Sequence, residues 1–130
     1  MGMDQKVIIA SDKAPVWAEL ADLLAKRKFP IQLRMIDGEL AFPDETPPHD
    51  WSELRVGTPP GMVTLRRDPD GITLVIWGNA DANMRQAWNA LTWGLAHLTS
   101  GTIRTAAGVQ SLADFAKSAE LPADFGERPA

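Results

Sequence analysis

The side chains that carry acid–base or metal-binding chemistry gather most closely at Asp44-Glu45 and His49-Asp50, three carboxylates and an imidazole within seven residues. Such groups can hold a divalent cation or relay a proton near neutral pH. The spacing matches no metal motif, however, and Pro47 and Pro48 separate the two halves. Solvated turn and capping residues account for the same cluster. Asp44, Glu45, His49 and Asp50 therefore stand as an alternative metal site, and His49 with Asp50 as an alternative catalytic pair. Nothing in the spacing brings Ser52 to His49 as a nucleophile.

Elsewhere the chemistry is defined by what is missing. The chain has no Cys and no Tyr, which removes disulfides, thiolate zinc sites, cysteine nucleophiles and tyrosine acids. It contains no Gly-x-x-x-x-Gly-Lys-Ser/Thr loop, no Gly-x-Gly-x-x-Gly, no His-Glu-x-x-His and no Gly-x-Ser-x-Gly. Gly78-Asn79-Ala80-Asp81 joins a strand to a helix N-terminus, where free N–H groups attract anions. The Asp81 carboxylate can take those donors itself and would repel a phosphate, so it reads as a plain N-cap. No cofactor is implied.

A long helix is expected from about Asp81 to Thr99, closed by Ser100-Gly101 with Gly at a left-handed cap. Met84, Ala87, Trp88, Leu91, Leu95 and Leu98 form its apolar stripe. At about 3.6 residues per turn, Trp93 falls on the other side, near Gln86, Asn89 and His97. A large aromatic on a polar face marks a binding surface unless another segment, such as one carrying Phe115 or Phe125, folds over it. Trp93, Gln86, Asn89 and His97 are thus the candidate interface, with His97 a surface neighbour rather than a base. Trp51 and Trp77 read as core.

The remaining elements must position these groups. Lys6–Ala10 suits a buried strand. A helix capped at Ser11 or Asp12, with Pro15 in its first turn, carries Val16, Trp17, Leu20, Leu23 and Leu24 on one face and stops near Lys28 before Pro30. Ile31, Leu33 and Met35 alternate with polar residues up to Asp37-Gly38, a strong hairpin signal. That turn would set Met35 opposite Leu40 and Leu33 opposite Phe42, all four on one face. Glu53–Val56 and Met62–Arg67 read as strands. Asp68-Pro69-Asp70-Gly71 favours a type I turn with a glycine bulge, leading into Ile72–Trp77, a strand apolar on both faces and hence central. Thr102–Thr105 is a further short strand, and Ser111 caps a final helix through Leu112, Phe115 and Ala116.

These elements predict an α+β fold: a two-layer sandwich of a mainly antiparallel sheet covered by two amphipathic helices, with a short C-terminal helix. Thr64, Arg66, Thr73, Val75 and Trp77 could make the opposite sheet face partly apolar. The 130 residues predict a single domain, with about 1–5 and 121–130 loosely held.

Composition narrows the partners. A net charge of −4 and a pI near 5.1 lack the concentrated basic face that nucleic acid requires. Lys26-Arg27-Lys28 suits a helix C-terminus. No apolar run approaches a membrane span and no secretory signal opens the sequence, so a cytoplasmic location is the default. The expectation is a non-catalytic binding or regulatory module, possibly homodimeric, working through the Trp93 face or the exposed side of the sheet. A small enzyme or metal binder at residues 44–50 is the alternative.

Overall fold

The computed structural model describes residues 2–9, 17–42, 45–48 and 50–122. The elements are β1 (Gly2–Ile8), α1 (Trp17–Lys26), β2 (Gln32–Ile36), β3 (Glu39–Leu40), β4 (Glu53–Gly57), β5 (Met62–Asp68), β6 (Gly71–Trp77), α2 (Ala82–Thr99), β7 (Thr102–Thr105), β8 (Gly108–Gln110) and α3 (Leu112–Ser118). The strands form one eight-stranded sheet in the order β3-β2-β4-β5-β6-β1-β7-β8, antiparallel at every pairing. The fold is α+β.

β1 lies inside the sheet between β6 and β7, and two glycines admit it. A Cβ at Gly71 would stand 1.9 Å from the Val7 carbonyl oxygen, and one at Gly101 would stand 2.5 Å from that of Ile8. Gly71 is therefore required by close approach. The pairing of Asp68 with Gly71 runs on without a bulge, in contrast to the bulge expected there. Likewise Ser100, not Gly101, takes the left-handed conformation after α2, with φ 56°. β1 also begins at Gly2, and Gln5 is buried in it, so residues 2–5 are part of the sheet rather than a loose end.

One sheet face builds the core. Val7, Leu54, Val56, Val63, Leu65, Leu74 and Ile103 are all buried, and their strand neighbours point the other way. α2 packs over this face. Its Trp88 indole N–H donates to the Leu74 carbonyl at 2.8 Å. The Gln5 amide donates to Asn89 Oδ1 and Thr92 Oγ1, both at 2.9 Å. On the flank of α2, Gly94 has no side chain where Leu20 and Leu24 of α1 press in, and a Cβ there would meet Leu20 at 2.8 Å. Near the third side, Asn89 Nδ2 donates to the Glu120 carbonyl just beyond α3. α2 starts as expected, with Asp81 accepting from the Met84 N–H at 2.9 Å.

The hairpin at Asp37-Gly38 also forms, with Met35 paired to Leu40. Its expected single apolar face does not. A bulge at Arg34 breaks the register of β2 against β4, so that Leu33 pairs with buried Val56 while Met35 pairs with exposed Arg55. One extra residue reverses the side-chain alternation. Leu33 goes to the core, and Met35 and Leu40 go to the opposite face. β8 is the strand that sequence reading omitted.

Candidate functional site

The Trp93 ring, expected at the surface of α2, is 5% exposed. His97, one turn on, stacks with it at 4.9 Å between centroids and 14° between planes. The guanidinium of Arg27, just past the end of α1, lies 4.6 Å from the ring centroid. Trp93 is therefore covered by its own chain. Asn89 turns inward to Gln5, Gln86 is half-buried and His97 is exposed. The four residues do not form an exposed aromatic patch. The helical wheel assumed a single packed side, whereas α2 is buried continuously from Ala87 to Ala96.

In the acidic loop, Asp44 and His49 lie outside the described residues, while Glu45 and Asp50 are exposed. Glu45 folds back locally, its carboxylate accepting from the Phe42 N–H at 3.1 Å. Ser52 Oγ bonds Asp37 at 3.1 Å, and the Asp37 carboxylate also accepts the Ser52 and Glu53 N–H groups at 2.8 Å. Those backbone donors, Glu53 first, hold the Asp37 carboxyl below its usual range. This is a clasp between the β2–β3 turn and the start of β4. Among the described residues no cluster of three or more His, Asp or Glu could hold a metal ion.

The surface that stands out is the sheet face turned away from α2. Two rows of paired residues cross it. The first runs Leu40, Met35, Arg55, Thr64, Val75, Asp4, and the second Glu53, Arg66, Thr73, Lys6, Arg104, Val109. Beside the first row lie Met62 and Trp77. Leu40 is 88% exposed, Trp77 75%, Phe42 73% and Met62 45%. Trp77, expected in the core, ends β6 on this open face.

Two hollows on the apolar side of this face share Met62, and a third lies beyond Asp4, between Lys6, Thr73 and Arg104. One, of about 710 Å³, is bounded by Arg34, Met35, Leu40, Phe42 and Met62. The other, of about 450 Å³, is bounded by Asp4, Arg55, Arg66, Val75 and Trp77 as well as Met62.

Charge on the face is uneven. Lys6 is bound by Asp70 and lies 3.6 Å from Asp68, and its ammonium keeps the Asp70 carboxyl below the ordinary value. Among the described residues Arg55 forms an ion pair with Glu53 alone, at 4.0 Å. Arg34 and Arg66 form no ion pair among the described residues. The two hollows are thus rimmed by three guanidinium groups with little compensation.

Val75 and Trp77 were named from sequence as possible members of this face, together with Thr64, Arg66 and Thr73. Met35, Leu40, Phe42 and Arg34 were missed. Met35, Leu40 and Phe42 were read as sharing one face of the hairpin with Leu33, and the bulge at Arg34 that separates them from it has no sequence signature such as Gly. Compared with known protein families, with curated proteins and with solved structures, the chain gives no match, so the functional reading rests on this geometry. No helix among the described residues is long and apolar enough to cross a membrane.

Proposed function

We propose that this chain is a non-catalytic binding module that docks a protein partner on the open face of its sheet. In this reading the helices form one layer and the sheet the other, and the uncovered side of the sheet is the working surface. The observation that carries it is the run of exposed apolar side chains from Leu40 and Phe42 through Met62 to Trp77. Large aromatic and Met side chains with Arg around them are the composition enriched at protein interfaces. Charge weighs against self-association through the same patch. A two-fold dimer sets a surface against its own copy, and here both sides would bring an excess of positive charge, Arg34, Arg55 and Arg66 against Asp4 and Glu53.

The test is site-specific photo-cross-linking from position 62, with position 19 on the exposed side of α1 as the control. Adducts formed in cells are identified by mass spectrometry and rebound in purified form. A partner captured from 62 and not from 19, whose purified complex is weakened at least tenfold by Leu40→Ser/Phe42→Ser, is the expected result. Equal capture from both positions, or a complex indifferent to the double substitution, rejects the proposal. A cross-linked dimer of the chain itself, with a concentration-dependent mass in sedimentation, replaces it by homodimerisation.

A further inference from the structure

We infer that the occupant of the open sheet face is an acidic, amphipathic peptide segment, whose apolar side chains enter the hollow between Met35, Leu40, Phe42 and Met62 while its carboxylates meet Arg34, Arg55 and Arg66. This rests on the reading of the face as a docking surface and adds the partner's chemistry.

The first argument is the charge of the patch. The whole chain is net negative, at −4, yet the rim of the two hollows carries three guanidinium groups against two carboxylates, Asp4 and Glu53, the latter paired across the strands with Arg66 and 4.0 Å from Arg55. Guanidinium forks pair with carboxylates in a bidentate geometry and are more weakly hydrated than ammonium groups, which suits them to interfaces that exclude water. Arg34 also extends along Gly57, where an added Cβ would meet its Nε at 2.9 Å. Gly57 thus gives the Arg34 side chain its bed at the edge of the apolar hollow.

The second argument is size. From Leu40 on β3 to Val75 on β6 the first row crosses four strand spacings, roughly 19 Å. That length seats about 13 residues of helix or six of extended chain, so a segment rather than a whole domain fills it. The third argument separates peptide from nucleic acid. Single-stranded nucleic acid uses a platform of stacked aromatics in a basic groove. Here the two exposed aromatics, Phe42 and Trp77, line different hollows with aliphatic Met62 shared between them rather than forming a stacked row, and Asp4 and Glu53 stand in the same rows as the cations.

A displayed random dodecapeptide library, selected on the full chain and counter-selected on Leu40→Ser/Phe42→Ser/Met62→Ser, tests this. Enriched sequences should combine two or more large apolar residues with a net charge of −2 or lower. Their affinity should fall at least tenfold between low and 0.5 M salt. It should fall by the same order in Arg34→Gln/Arg55→Gln/Arg66→Gln, with the unfolding midpoint unchanged. The Arg→Glu version should turn the preference towards basic peptides.

Enriched sequences that need the apolar residues but are neutral or basic overturn the inference while the docking surface stands. No enrichment over the counter-selected variant overturns both. Tighter binding of a fluorescent 20-mer of oligo(dT) than of any selected peptide overturns the inference in favour of nucleic acid.

Discussion

Trp93 and Trp77 occupy opposite situations, each the reverse of what its local pattern suggests. Trp93 sits among polar residues of α2 and is buried beneath Arg27 and His97. Trp77 ends an almost wholly apolar strand and is three-quarters exposed. The difference lies in how many sides of each element have neighbours. α2 touches the sheet, α1 and α3, so even its polar arc is enclosed. β6 is flanked by β5 and β1 in the plane of the sheet but is covered by a helix on one face only. Buried amide and hydroxyl groups under α2 are mutually bonded, whereas apolar groups on the open face are left to water. The first arrangement serves stability, and the second is the one we propose for recognition.

Substitutions can break or sharpen that contrast. The largest loss is expected from Trp93→Ala, which should lower unfolding free energy in urea by about 3–5 kcal/mol, as for other buried aromatic truncations. Asn89→Ala leaves the Gln5 amide and the Glu120 carbonyl each short of a partner, and should lower stability by about 1–3 kcal/mol in the same measurement. Arg27→Ala uncovers the indole and should cost about 0.5–1 kcal/mol, with Trp93 becoming accessible to acrylamide quenching. Trp77→Ala should change stability by no more than about 0.5 kcal/mol while weakening partner binding. A stability loss as large as that of Trp93→Ala would end the distinction between the two regions.

The smallest effect is expected at exposed Asp37, and it is read as a pH dependence. Its carboxyl titrates lower in the folded protein than in the unfolded chain, so the clasp contributes fully above the ordinary carboxylate pKa of about 3.9. The contribution is lost as pH falls through the folded value. Asp37→Asn should therefore be less stable than the parent at pH 7, and the two denaturation midpoints should converge under acid. A gap that stays constant down to pH 2 would show that the carboxylate's charge is not involved.

Legibility in the sequence followed the range of the forces involved. The Asp81 and Ser111 caps, the turn at Asp37-Gly38 and the pairing of β5 with β6 all depend on residues within one or two turns of each other, and they formed as expected. What failed depended on distant neighbours. The bulge at Arg34 is visible only against β4, and it alone decides that Met35 and Leu40 leave the core. Gly71 was assigned to turn geometry because Val7, which it accommodates, is more than sixty residues away. β8 is three residues long, and its local signal is Gly108, at φ 113° directly after Ala106-Ala107. The open sheet face was legible only in Val75, Trp77 and their polar neighbours, since its other half is created by that bulge.

The placement of β1 has a consequence for how the chain reaches this structure. Its partners lie about seventy and a hundred residues further along, so during synthesis this segment emerges long before anything exists for it to pair with. The strands from β2 to β6 can assemble from short-range contacts, with β2 paired to both β3 and β4, but the hairpin of β7 and β8 joins them only through β1. Closing those long loops carries an entropic penalty before any contact compensates for it. Insertion of β1 between β6 and β7 is thus the natural late event in folding, and until it occurs the β6 edge stands unpaired and open to aggregation.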